Sequence, residues 1–416
     1  MSVISELRMR PAVPRNLTWN PGFTTRLVIT MSAMSLLLIG ANLATPLYPQ
    51  LQSQLSLGPM GTTVAFASYV CSLILFLCTV GHWSDHIGRR AALVLAVALS
   101  LAGTLVFASA DSLTELCLGR GLQGAGVALA TGASSAALRE LLPSKPQWAS
   151  RFTLLTSSGG VAVGPLLGGL LALLPGGRHS VFMVQAVLLL LILVPLSLLQ
   201  ARPAIAIASA GERKRALAPR GLGVPVEARP RAVIACMVGF LSFAVFGFVL
   251  SLAPGYMAQA FGLHSLPAIG LLAGLPLGVA ALTQVFVRGG DRQLPVGLLI
   301  LGGGVILLAF AAEAEILGLA VFAMILIGVG QGTSFRAAFS RAVDAVETSW
   351  HARTVSTIYV VTYLGSAVPV IGLGWAAGVF GLVPSTMTFS VACAVLALGL
   401  AIAAKRQLSA EKVRQS

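Results

Sequence analysis

Acidic residues are scarce: 13 Asp and Glu face 27 Lys and Arg in 416 residues, and charged residues of both signs make up only 10% of the chain. A soluble domain carries about 25% charged residues, so this composition excludes one. Cysteine is also sparse. Cys71, Cys78, Cys117, Cys236 and Cys393 fall in apolar runs with no paired spacing, which excludes a disulfide framework or a Cys-based zinc site. There is no Ser/His/Asp nucleophile pattern, no phosphate-cradling glycine loop and no metalloprotease helix, so neither an enzyme nor ATP-driven transport from this chain alone is expected. His82 and His86 are four residues apart but flank Asp85 in a turn, and a metal site is not expected. What is present is apolar: 56% hydrophobic residues and a mean hydropathy of +0.90. On a soluble chain a net charge of +14 would suggest nucleic acid; here it points first to a membrane.

A helix crossing the hydrocarbon needs about 20 mostly apolar residues. Twelve such spans are read, at 26–49, 61–80, 91–110, 113–138, 152–174, 179–200, 232–257, 266–288, 295–312, 316–337, 354–378 and 384–404. Spans 1, 2, 3, 5, 7, 8, 11 and 12 contain no Asp or Glu. If the connecting loops alternate sides, 25 of the 27 Lys and Arg fall on the side of the two termini; Arg178 stands alone opposite and Arg120 lies inside span 4. Short loops rich in Lys and Arg stay cytoplasmic, so both termini are expected in the cytoplasm. Adding or losing one span would scramble that division.

Residues 201–231 hold seven basic residues and four prolines and read as a flexible linker. The expected organisation is a segment 1–25, a six-helix bundle 26–200, the linker 201–231, a second bundle 232–404 and a tail 405–416. The two bundles look like copies. Pro46-Leu47-Tyr48 recurs as Pro254-Gly255-Tyr256, and Gln123-Gly124 as Gln331-Gly332, both 208 residues later. Asp85 recurs as Asp291, and Pro165 as Pro369, at nearly the same offset. Two pseudo-symmetric six-helix bundles that rock about a site near the midplane form a known transporter architecture.

Between spans 2 and 3 the chain reads Gly81-His82-Trp83-Ser84-Asp85-His86-Ile87-Gly88-Arg89-Arg90. The glycines permit a tight turn, and the charges can make salt bridges that break and reform. The string resembles the Gly-x-x-x-Asp-x-x-Gly-Arg-Arg signature of the major facilitator superfamily, at the place the family carries it. That resemblance implies a latch of the outward-open state, in which Asp85 docks at the positive N-terminus of span 11. It also pairs Arg89 with Glu140, which stands beside Arg139 at the end of span 4. The competing reading is a turn whose charges merely set topology. The second-half copy, Arg288-Gly289-Gly290-Asp291-Arg292, is degraded, so an asymmetric latch is expected.

Span 5 carries Gly160, Gly164 and Gly168 four residues apart, together with Pro165 and Gly169. Glycines at this spacing bare one helical face for close packing, and Pro165 favours a kink. The run resembles the Gly-x-x-x-Gly-Pro-x-x-Gly-Gly motif that in the superfamily marks proton-coupled exporters; plain small-residue packing is the alternative. Arg120, in Leu118-Gly119-Arg120-Gly121-Leu122-Gln123-Gly124, resembles the family's Arg-x-x-Gln-Gly motif, which implies a role in coupling proton movement to the substrate site. Read alone, an embedded Arg costs at least ~2.5–3.5 kcal/mol and needs a partner or a watery cavity; neighbouring carbonyls could hold it. Glu115 is the nearest acid, five residues away. It is read either as a proton shuttle whose pKa Arg120 lowers or as a solvated interfacial carboxylate.

Cavity candidates are Asn42, Tyr48, Tyr69 and Gln123 in the first half, and Phe243, Phe246, Gln284, Gln331, Tyr359 and Tyr363 in the second. Packing or helix glue is the other reading of each. The expectation is therefore an all-α integral membrane protein of the plasma (inner) membrane, bacterial and monomeric. It would be a secondary active transporter exchanging inward-moving protons for a small amphipathic drug or metabolite. It would need no cofactor beyond the proton gradient, and its partners would be the solute, protons and lipid, not nucleic acid. A cavity with one fixed cation and no acid in span 1 favours neutral, zwitterionic or anionic cargo. A proton-linked importer of the same fold and a non-transporting membrane receptor are the alternatives.

Overall fold

A computed structural model describes residues 3–7, 19–200, 218, 221–286, 290 and 292–415. Arg288, Gly289 and Asp291 of the degraded motif and most of the 201–231 linker lie outside them. The described chain is helical throughout, with one isolated parallel bridge between Trp19 and Leu199. Twelve helices have 20 residues or more, in the order read from the sequence: Phe23–Asn42, Pro59–Val80, Arg89–Ala108, Leu113–Leu141, Pro146–Leu171 and Arg178–Leu198, then Arg229–Ser251, Leu266–Phe286, Gln293–Glu313, Leu317–Val343, Thr348–Phe380 and Leu382–Gln415. Eleven are long and apolar enough to cross a membrane. The other, span 4 (Leu113–Leu141), is longer than most, but glycines, serines, Arg120 and Gln123 lower its hydropathy.

Helix ends depart from the apolar runs in a consistent way. Span 5 starts at Pro146, span 10 runs to Val343, span 11 starts at Thr348 and span 12 runs to Gln415. Hydropathy marks only the lipid-facing stretch, whereas a helix continues as long as its polar residues are solvated. Spans 1 and 7 are instead shorter than expected. Span 1 stops at Asn42, passes through a 3-10 turn at Thr45–Leu47 and resumes as Tyr48–Gln54; span 7 stops at Ser251 and resumes as Ala253–Phe261. Each break adjoins a proline, Pro46 or Pro254, that cannot donate the helical hydrogen bond.

The helices pack into two compact units, Met1–Ala44 with Ser68–Gly164 and Leu171–Arg220, and Thr45–Ala67 with Pro165–Leu170 and Gly221–Ser416. Within each, glycine brings backbones together. A Cβ on Gly103 of span 3 would fall 2.6 Å from the Gly119 carbonyl of span 4, and one on Gly330 of span 10 would fall 2.7 Å from the Gly297 carbonyl of span 9. Such approaches suit a core in which helix association rests on close van der Waals packing.

Candidate functional site

Span 4 carries Arg120 into the interior of the first unit, where the residue is 2% exposed. Its Nη1 donates to the Ala41 carbonyl of span 1 at 2.6 Å and to Gln123 Oε1 one turn along its own helix at 2.9 Å. The guanidinium lies over the Tyr69 ring of span 2, 4.7 Å from the centroid. Gln123 Nε2 reaches Thr104 Oγ1 of span 3 at 3.5 Å. Arg120 Nε has no hydrogen-bond partner, and no carboxylate pairs with the guanidinium among the described residues. A positive charge therefore sits out of water held by a carbonyl, an amide and a ring.

Glu115 is not brought to Arg120. It is exposed; its backbone N–H donates to Ser112 Oγ at 3.3 Å, and its carboxylate accepts from the Asp111 N–H at 2.7 Å. These bonds cap the start of span 4. Five residues along a helix is 140° past a full turn, which points Glu115 away from Arg120.

The other cavity candidates separate. The Asn42 side-chain amide donates back to the Leu38 carbonyl of its own helix at 2.8 Å. Tyr48 is 2% exposed. Gln284 offers its backbone carbonyl to Arg336 Nη1. In the second unit Phe243 lies 5.4 Å from Tyr363 and 6.4 Å from Phe246, and Tyr359 lies 6.1 Å from Tyr363. Two rings that sequence reading missed, Phe335 and Phe339 of span 10, complete this cluster. Their four-residue spacing was the available signal.

Span 5 uses its glycines on two faces. A Cβ on Gly160 would fall 3.0 Å from Leu38 Cβ, and one on Gly164 would fall 2.7 Å from Asn42 Cβ, both on span 1 in the first unit. In the second unit, a Cβ on Gly169 would meet the Leu266 carbonyl, and one on Gly270 of span 8 would meet the Pro165 carbonyl. Gly168 is buried.

At the basic end of the first unit, Arg89 donates from Nε to Glu140 at 2.9 Å and from Nη1 to Asp85 at 2.5 Å and Ser84 at 2.8 Å. Gly88 turns the chain at φ +93°, a conformation L side chains rarely adopt. Gly81 lies so close to span 4 that a Cβ on Gly132 would fall 2.6 Å from its carbonyl. Arg139 is exposed. Ser84, Asp85, Gly88, Arg89, Glu140 and Arg26 border a cavity of about 130 Å³. Arg90 turns elsewhere. It pairs with Glu6 of the short helix Val3–Leu7, Nη2 to Oε2 at 2.8 Å, and donates to the Leu199 carbonyl at the end of span 6. Both side chains are nearly buried. Burial pushes the Glu6 carboxyl above its ordinary range, and the Arg90 charge and hydrogen bond reduce that rise without cancelling it. Glu6 was legible in principle: it is the only acid before Asp85.

The second unit has a clasp of its own. Glu411 accepts from Arg231 Nε at the start of span 7 at 2.9 Å and from Arg341 Nη2 near the end of span 10 at 2.5 Å. Span 12 has 34 residues, roughly 50 Å of helix, and outruns about 30 Å of hydrocarbon, so Glu411 stands outside it. Burial works to raise the Glu411 carboxyl, but the Arg231 hydrogen bond and the charges of Arg341 and Arg231 prevail and hold it below its ordinary value.

Comparison with known proteins follows the same lines. The family model described as Major Facilitator Superfamily matches residues 30–369. A relative named for multidrug resistance, MdtD of Enterobacter sp. (strain 638), is 32% identical over 125 residues, which is 30% of this chain and 26% of that protein. MdtD of Escherichia coli (strain K12 / DH10B) is 31% identical over the same shares. The match thus spans about a quarter of these relatives' length. Among solved structures, a bacterial homologue of the human lysosomal transporter Spinster, inward-facing and unoccupied, superposes with a TM-score of 0.78 at 16% identity, over 94% of this chain and 98% of that one. The human organic anion transporter MFSD10 (TETRAN) gives 0.59 at 17% identity, over 92% and 100%. At these identities the likeness shows the fold.

Proposed function

Because the chain belongs to the Major Facilitator Superfamily, we propose that this membrane transporter is a proton-coupled antiporter that exports small amphipathic drugs or metabolites. The observation that carries the reading is Arg120, an embedded guanidinium with no carboxylate partner among the described residues. A buried charge of one sign favours cargo that brings the other sign or a strong acceptor. The span 5 motif supports the outward direction, and the partial likeness to proteins named for multidrug resistance supports the cargo class. Both termini and the Arg89 network would lie in the cytoplasm of a bacterial inner membrane, where Arg89, Asp85 and Glu140 form the latch. The proton is not assigned to Glu115, whose carboxylate is used in the helix cap.

That no carboxylate among the described residues pairs with Arg120 favours one second reading, exchange of one organic anion for another, with the cargo always supplying the compensating charge. One assay separates the readings. Purified protein is reconstituted in vesicles holding a pH-sensitive dye, a pH gradient is imposed, and anionic and zwitterionic aromatic solutes are screened on the normal protein and Arg120→Ala. Antiport predicts solute-dependent proton flux in the normal protein and its loss in the variant. Equal proton flux in the two removes Arg120 from the mechanism; solute exchange that ignores the gradient supports the anion exchanger.

A further inference from the structure

The internal repeat aligns the sequence of span 10 with that of span 4 through Gln123-Gly124 and Gln331-Gly332. The glycines of the two pairs serve alike. A Cβ on Gly124 would meet the Tyr69 carbonyl of span 2, and one on Gly332 would fall 2.6 Å from the Ala280 carbonyl of span 8. The glutamines do not. Gln123 Oε1 accepts from Arg120, three residues earlier. Three residues before Gln331 stands Gly328, where span 8 closes in through Pro276 and Val279. Span 10 thus has the acceptor of span 4, but a packing glycine stands at the position of its donor. Gln331 is 2% exposed, and its Oε1 has no hydrogen-bond partner among the described residues. Buried acceptors are almost always satisfied, so an orphan of this kind calls for an explanation.

The surroundings indicate what would satisfy it. Phe335 and Phe339 follow Gln331 at four and eight residues, on the same face of span 10. With Phe243 of span 7 and Tyr359 and Tyr363 of span 11 they form a closed circuit of five rings. Centroids are 6.1 Å apart for Phe335 and Phe243, 5.4 Å for Phe243 and Tyr363, 6.1 Å for Tyr363 and Tyr359, 5.6 Å for Tyr359 and Phe339, and 5.8 Å for Phe339 and Phe335. Every ring but Phe335 keeps part of its surface open. These spacings are those of offset and edge-to-face aromatic pairs, and an open patch of this kind accepts a further flat ring.

We propose that Gln331 is a specificity-determining residue whose carbonyl oxygen accepts a hydrogen bond from an O–H or N–H on a cargo whose aromatic rings pack against Phe243, Phe335, Phe339, Tyr359 and Tyr363. This names the cargo class for the transport reading above and rests on it: an aromatic molecule with a ring-borne donor. A site built to pair a donor rejects the analogue that lacks one, because the acceptor is then left buried and bare.

The test uses binding alone, so that its outcome is independent of flux. Full-length protein in nanodiscs is titrated by equilibrium dialysis with 6-hydroxynaphthalene-2-sulfonate and its 6-methoxy counterpart, two fluorescent anions that differ in one donor. The normal protein should bind the hydroxy compound roughly five- to tenfold more tightly. Gln331→Leu, and Gln331→Met as a second apolar replacement, should erase that preference while leaving the methoxy affinity in place. Phe243→Leu and Tyr363→Leu should weaken both compounds by a similar factor. A preference that survives in both Gln331 variants, or no saturable binding of either anion to the normal protein, overturns the proposal. A Gln331-dependent preference without pH-driven flux upholds it and counts against the antiport reading instead.

Discussion

A guanidinium out of water is held in place by whichever acceptors reach it, and at Arg120 there are three of different strength. The hydrogen bond to Gln123 is charge-assisted, worth roughly 1.5–3 kcal/mol; the Tyr69 ring contributes about 0.5–2 kcal/mol through its face. Gln123→Leu should therefore lower the thermal midpoint of the purified protein more than Tyr69→Leu does, and Tyr69→Phe, which keeps the ring, should leave it nearly unchanged. Melting curves followed by tryptophan fluorescence read this order directly. If Tyr69→Phe falls as far as Tyr69→Leu, the ring face is not what holds the charge.

At the scale of helices, glycine sets how near two backbones come. Gly164 and Gly159 lie five residues apart on span 5, yet a Cβ on Gly164 would fall 2.7 Å from Asn42 Cβ, while one on Gly159 would meet nothing within 4 Å. Overpacking a tight contact costs about 1–3 kcal/mol. Gly164→Val should lower both the folded yield and the melting temperature, and Gly159→Ala should leave both near normal or raise them slightly, since alanine stabilises a helix interior. Equal behaviour of the two would mean that span 5 does not touch span 1 along this face. The four-residue spacing was readable in the sequence. That Gly160 and Gly164 serve span 1 while Pro165 and Gly169 serve span 8 was not, because one helix presents several faces and spacing alone does not say which neighbour each one meets.

Across the whole molecule, charge follows two rules. If the loops alternate sides, nearly all Lys and Arg fall on the side of the termini, so reporter tags at the N-terminus and C-terminus should both read as cytoplasmic, while a tag inserted after Gly176, next to Arg178, should read as external. Opposite readings for the two termini would overturn the twelve-span topology. The second rule concerns the few acids. Glu411 has its folded pKa held below the unfolded value, so its contribution is present above the ordinary carboxylate pKa and is lost as pH falls through the lowered value. Between pH about 7 and about 3 the normal protein should lose more thermal stability than Glu411→Gln does. Glu6 has the opposite sign: its raised pKa gives a contribution present below the ordinary value and lost as pH rises through the raised one. Glu6→Gln should accordingly remove a loss of stability on raising the pH, not on lowering it. Melting temperatures of the two variants across that range check both signs.

Hydropathy, basic-residue placement and the repeated Pro-x-Tyr and Gln-Gly pairs were enough to read the helical class, the order of the twelve long helices and the presence of a lone Arg in span 4, because each is a local property of the chain or of its periodicity. What a buried group pairs with is set by residues far away in sequence, and only the packed structure decided it. Arg120 meets the Ala41 carbonyl 79 residues back and no acid among the described residues, Arg90 turns to Glu6 and the end of span 6, and Glu411 gathers Arg231 and Arg341. Gln331 has the sequence context of Gln123, yet it keeps an open acceptor because a glycine stands where its counterpart finds an arginine.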